Sequence, residues 1–213
     1  MTATATLAEE GFDLVEVSFP VVTNLGCVKV KTNAYSVPVK AGRTVEARLA
    51  AATVEVWHEG KRVARHERSY GRDREILDLE HYLDVLERKP GALAGSTPLE
   101  QWRRLGRWPA SYDRFWQALI ERHGRQAGTK AMIALLQLGR LHGQAALQGA
   151  IDAALVLGCT DEAAVRHLVT ARSLEHARPA TVEVGMLAQF ERPLPTVGEY
   201  DQLRAPVPTA VAR

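Results

Sequence analysis

"KVKTNAYSVPV", residues 29–39, decides how this chain is read. Val28 and Val30 alternate with Lys29 and Lys31, a polar pair interrupts at 33–34, and Tyr35, Val37 and Val39 resume the alternation around Pro38. A period of two sends successive side chains to opposite faces of a strand, so the valines belong to an interior and the lysines to water. The "NA" pair reads as a tight turn, because Asn33 tolerates a positive φ. Pro38 has no N–H to give to a ladder and belongs at a strand end or a sheet edge.

The flanking sequence continues in the same style. "RTVEARL" (43–49), "TVEVWH" (53–58) and "RVARHE" (62–67) alternate or are rich in β-branched residues, and "DLVEVSF" (13–19) adds a further strand at the start. The joints at 40–42, 50–52 and 59–61 are short, with Gly42 and Gly60 supplying turn conformations. Short joints imply an antiparallel meander, and a meander with one apolar face protects its edges by curling into a small barrel.

After residue 75 the period changes. Residues 78–88, 109–124, 129–142, 144–158 and 161–172 carry apolar residues at helical spacing. Asp78 and Thr160 stand as N-caps, Pro109 in a first turn and Gly158 as a C-cap, with a loop at 91–98. Beyond residue 173 five of the ten prolines fall in the last 41 residues without periodicity, the pattern of an extended, partly disordered tail. The expected fold is α+β: a linker at 1–14, a small antiparallel β-barrel at 15–75, a helical bundle at 76–172 and the tail at 173–213.

Hydrophobic residues make up 46% and charged residues 24% of the 213, enough to bury a core. Cys27 and Cys159 form no paired motif, which suits a reducing compartment. The N-terminus has no basic-then-apolar leader pattern and no apolar run is long enough to span a bilayer, so a cytoplasmic chain with no membrane contact is expected. The net charge of +2 conceals an uneven distribution. Residues 25–74 hold eleven Lys and Arg against five acids, while 1–24 hold four acids and no base. A cationic block of that kind is the footprint of a polyanion partner or of a solvated face.

Catalytic patterns are missing. There is no phosphate-binding Gly-rich loop, nucleophile elbow, HExxH or paired CxxC, so neither catalytic residue, metal nor cofactor is assigned. Asp78, Glu80 and His81 are the nearest approach to a ligand cluster, but neighbouring positions of a helix diverge. What stands out is "KRVARHERSYGRDR" (61–74), whose six cations surround Tyr70 and Gly71. Arginine forks grip phosphate oxygens, and the competing reading is a linker whose arginines pair with helix acids.

"VKVKTNAYSVPV", "EVWHEGKRVARHERSYGR" and "ILDLEHYLDVLERKPGAL", in this order, resemble the C-terminal region of IstA-type insertion-sequence transposases, relatives of the phage Mu transposase within the DDE superfamily. The resemblance runs from about residue 15 to 172, with "VGEYDQL" (197–203) a weaker echo of the family's terminal segment. It implies a Mu-like C-terminal barrel followed by helices, in a bacterial, nucleoid-associated setting. The family's DNA-cutting chemistry belongs to a ribonuclease-H-like domain with an acidic triad that no position here matches, so that activity is not carried over. The expected role is non-catalytic binding of double-stranded DNA through Lys29, Lys31, Lys40, Arg43, Lys61, Arg62, Arg65, Arg68, Arg72 and Arg74, with Tyr70 among them, and support of transpososome assembly. The alternative is a protein-interaction module that meets a helper AAA+ ATPase or other transposase subunits without touching DNA.

Overall fold

The computed structural model describes residues 15–176. Seven strands come first: β1 (Glu16–Ser18), β2 (Cys27–Val30), β3 (Asn33–Ser36), β4 (Glu46–Leu49), β5 (Thr53–His58), β6 (Lys61–Glu67) and β7 (Glu75–Ile76). They form two sheets. One has the order β1-β4-β5-β6, all antiparallel, and the other the order β2-β3-β7, in which β7 runs parallel to β3. The expected closed barrel is therefore corrected to two open sheets that share one core. The reason lies in the connection at 37–45, which leaves β3 and enters β4 in the other sheet instead of making a hairpin. Val28, Val30, Tyr35 and Val37 from one sheet pack with Val45, Ala47, Leu49, Val54, Val56 and Ala64 from the other.

The alternation read from the sequence holds: Val28 and Val30 are buried while Lys29 and Lys31 are exposed. The turn does not sit where expected. It falls at Lys31 and Thr32, with Lys31 at φ 56°, and Asn33 is a buried strand residue paired with Val30. At the β5–β6 hairpin Glu59 and Gly60 both take positive φ, the signature of a two-residue turn matched to strand twist.

Six α-helices follow a 3-10 turn (Leu79–Tyr82). They are α1 (Leu83–Arg88), α2 (Thr97–Arg104), α3 (Ala110–His123), α4 (Arg125–His142), α5 (Gln144–Val156) and α6 (Glu162–His176). Asp78 caps the 3-10 turn through a bond from Glu80 N–H, as its position implies. Asp161, not Thr160, caps α6, accepting from Ala163 N–H. The expected loop at 91–98 reaches only the first two residues of α2, whose eight residues carry too few turns for a periodic pattern, yet they bury Leu99 and Trp102 completely. The helices enclose a second core around Leu83, Trp102, Phe115, Leu119, Ile133, Leu136 and Ile151.

One contact sets how α3 and α4 meet. A Cβ built on Gly128 would lie 2.5 Å from the Leu119 carbonyl oxygen and 2.6 Å from the Ile120 nitrogen, so the two backbones touch. Gly128→Ala must force the helices apart and is expected to lower stability by about 2–3 kcal/mol, the usual cost of overpacking. Chemical denaturation measures this, and an unchanged midpoint would refute the backbone contact.

Candidate nucleic-acid interface

Asn33 organises the cationic segment. Its side-chain amide donates to Ser69 O and Gly71 O, both at 2.9 Å, and its Oδ1 accepts from Arg74 N–H at 2.9 Å. Tyr35 OH accepts from Ser69 N–H, and Ala34 N–H donates to Arg74 O. The 69–74 loop is thus pinned to β3 by an amide that has no other route to satisfaction, since Asn33 is 3% exposed. On this loop Tyr70 is 75% exposed; its OH donates to Ala51 O at 2.6 Å and the Arg68 guanidinium lies 4.6 Å from its ring centre. Arg68 also donates to Ala50 O.

The expected DNA-binding residues fall into separate groups. Lys31, Arg68, Tyr70 and Arg72 line one hollow beside Asn33, and Arg74 closes the loop. Lys29 stands opposite Ala34, one register step away. Arg62 and Arg65 lie on the outer face of the four-stranded sheet, where Glu55 takes both, at 2.9 and 3.8 Å. Lys61 is at the β5–β6 hairpin, and Lys40 and Arg43 precede β4, all at the sheet end opposite the 50–52 connection. The structure therefore does not gather the cations on a single wall. Lys31 pairs with Glu16 at 2.6 Å, but both are half exposed, and such a pair is screened and worth little. Lys29, Lys40, Arg43, Lys61, Arg72 and Arg74 make no ion pair among the described residues.

Two things escaped the sequence reading. Arg48, at 4.4 Å over the Trp57 ring and bonded to Glu46, joins Glu55, Arg62 and Arg65 in a face whose arginines are all ion-paired. Its alternation with Glu46 on one face of β4 was the available signal. Arg104 and Arg107, from the helical part, join Arg65 and Arg68 in lining a cleft of about 590 Å3; nothing in the spacing of 61–74 points to them.

Asp78 and His81 do come together, in a half-buried junction around the buried Ser36 and His66. Ser36 Oγ accepts from Asp78 N–H and shares a hydrogen bond with His81 Nδ1, 2.8 Å away. His66 Nε2 bonds Ser36 O at 2.7 Å, and the two imidazoles meet edge to face at 5.5 Å. Asp78 also accepts from Trp102 Nε1 and from Arg107, whose guanidinium stacks on Trp102 at 4.4 Å. Burial pushes the Asp78 carboxyl up, but the Arg107 hydrogen bond and charge outweigh it and hold the carboxyl below its ordinary range. Burial lowers His81 to about 4 and lowers His66 as well. Ser36 is fully buried with its hydroxyl committed in both directions, so this serine–histidine pair fastens the fold and offers no nucleophile. Burial raises the Cys27 thiol, which lies 3.3 Å from Tyr82 OH. Among the described residues no group of three or more His, Cys, Asp or Glu is placed to hold a metal ion. No described helix is long and apolar enough to cross a membrane.

Comparison with known proteins bears out the resemblance. Residues 7–78 match the family described as Mu transposase, C-terminal domain. The chain is 30% identical over 190 residues to the transposase for insertion sequences IS1326/IS1353 from Pseudomonas aeruginosa, and equally to its counterpart from Shigella flexneri. It is 32% identical over 194 residues to a transposase from Aminobacter aminovorans. Each alignment covers 86% of this chain and 36% of the relative, so the chain spans little more than a third of the length of these proteins. No solved structure matches significantly.

The buried imidazoles make stability pH-dependent. Their folded pKa values are depressed, so the unfolded chain, titrating near the ordinary 6.5, takes up protons first. The melting temperature is expected to hold above about pH 6.5 and to fall as pH drops toward 4, whereas the Asp78 contribution is lost only below the ordinary carboxylate value. His81→Asn is expected to flatten the slope in that window. A melting temperature constant from pH 7 to 5 in the parent chain would remove this account.

Proposed function

Starting from the similarity to insertion-sequence transposases, we propose that this chain serves DNA transposition as a non-catalytic module that holds duplex DNA by its phosphates. The supporting observation is the pinned 69–74 loop, where Asn33 holds Gly71 O and Arg74 N–H on either side of Arg72, and neither Arg72 nor Arg74 has an ion-pair partner among the described residues. Lys31 and Arg68 line the hollow beside the loop, Lys29 stands across β3 from it, and Tyr70 presents an exposed ring. Phosphate binding needs cations and hydrogen-bond donors in fixed places and reads no sequence. The contacts favoured are accordingly Lys29, Lys31, Arg68, Arg72 and Arg74; Arg62 and Arg65 are held by Glu55 and contribute less.

A second reading, assembly with another transposase chain, has one observation in its favour. Val15, Val17, Phe19 and Val21 alternate through 15–21, the stretch that contains the edge strand β1, and are 43%, 49%, 68% and 54% exposed, an apolar row facing solvent. This module would then supply a protein contact beside its DNA contact. Helper-ATPase binding remains a wider extension of the same reading.

Titration against a duplex of arbitrary sequence tests the first reading. Five phosphate contacts give a log–log salt slope of about −4 to −5, and R72Q/R74Q is expected to make it shallower by about 2. Absence of binding at low salt, or a slope indifferent to R72Q/R74Q, would sink the proposal. For the second reading, Phe19→Ser is expected to shift the chain toward monomer in sedimentation at high concentration. A parent chain that is monomeric throughout rules it out.

A further inference from the structure

A second cationic surface lies on the helices, away from the residues used above. Arg88 at the end of α1, His123 at the end of α3, and Arg125 and Lys130 in α4 line one open cleft of about 890 Å3. All four are exposed, and among the described residues Arg88, Arg125 and Lys130 form no ion pair. The one acid in the lining, Glu87, is hydrogen-bonded by Gln137. The Gly128 contact sets α4 against the last turns of α3, so the positions of Arg125, Lys130 and His123 are fixed relative to one another.

Fold stability accounts for only part of this charge. Arg88 and His123 close helix ends where a cation is favoured. Arg125 stands in the first turn of α4, where a positive charge opposes the helix dipole and no acid in that turn answers it. We infer that Arg88, Arg125 and Lys130 form a second contact for the phosphodiester backbone of duplex DNA. The chemistry of the lining selects this partner over an acidic protein. Beyond Arg88, Arg125, Lys130 and His123 the cleft presents the exposed Glu87, Gln126 and small or buried residues, so cations outnumber the acid and no exposed aromatic or large aliphatic side chain is present. Protein interfaces are centred on such anchors, whereas a phosphate backbone asks for cations and donors alone.

The test uses the whole chain with a duplex of arbitrary sequence at low and physiological salt. R88Q/R125Q/K130Q changes exposed positions and is expected to melt like the parent while its log–log salt slope becomes shallower by about 3. A photo-reactive p-benzoylphenylalanine replacing Gln126 is expected to crosslink to DNA in the parent and in R72Q/R74Q, and to lose that product in the triple variant. A triple-variant slope equal to the parent's, or a crosslink only to protein, overturns the inference. A slope that responds to the triple variant but not to R72Q/R74Q leaves this surface standing and removes the one on the loop.

Discussion

A single buried amide shapes the sheet end of this protein. Leaving a polar group buried and unpaired costs about 1–3 kcal/mol, so Asn33 must find partners, and it finds them in the backbone of the 69–74 loop. How the loop is held has an electrostatic result. A segment rich in arginine could have been fixed by carboxylates, which would have cancelled its charge. Here peptide groups do the fixing, and Arg72 and Arg74 keep theirs. The outer face of the four-stranded sheet shows the opposite solution, with Glu46 and Glu55 absorbing Arg48, Arg62 and Arg65. Two cationic regions of similar composition therefore differ in what they leave available to a partner.

Much of the architecture was legible in the residues. Period two marked β2, β4, β5 and β6, and the change to helical spacing after residue 75 marked the start of the second core. The failures are local and have physical causes. Asn33 suits a turn by intrinsic preference, but its tertiary partners outweigh that preference and the turn moves back to Lys31. The division into two sheets depends on where 37–45 crosses over, which alternation does not encode. A two-residue strand such as β7 and an eight-residue helix such as α2 are too short to show a period at all.

The candidate site was legible as a list of cations and not as a surface. Whether an arginine is free depends on what register sets beside it, and Glu55 reaches Arg62 across seven residues while Lys31 meets Glu16 across fifteen. Of the tail expected from 173 onward, residues 173–176 continue α6 as helix, and the remainder, with its echo at 197–203, lies outside the described residues. The junction of Ser36, His66, Asp78 and His81 was hidden for a related reason: its members come from three separated stretches, and only folding reveals that they satisfy one another.

The meeting of α3 and α4 at Gly128 has a mechanical meaning. Helices that touch through side chains can yield, because rotamers give way one after another. Where peptide groups themselves abut, as Gly128 does against Leu119 and Ile120, there is nothing soft between the rods. The corner where α3 turns into α4 should therefore resist being squeezed shut, acting as a hard stop between the two helices.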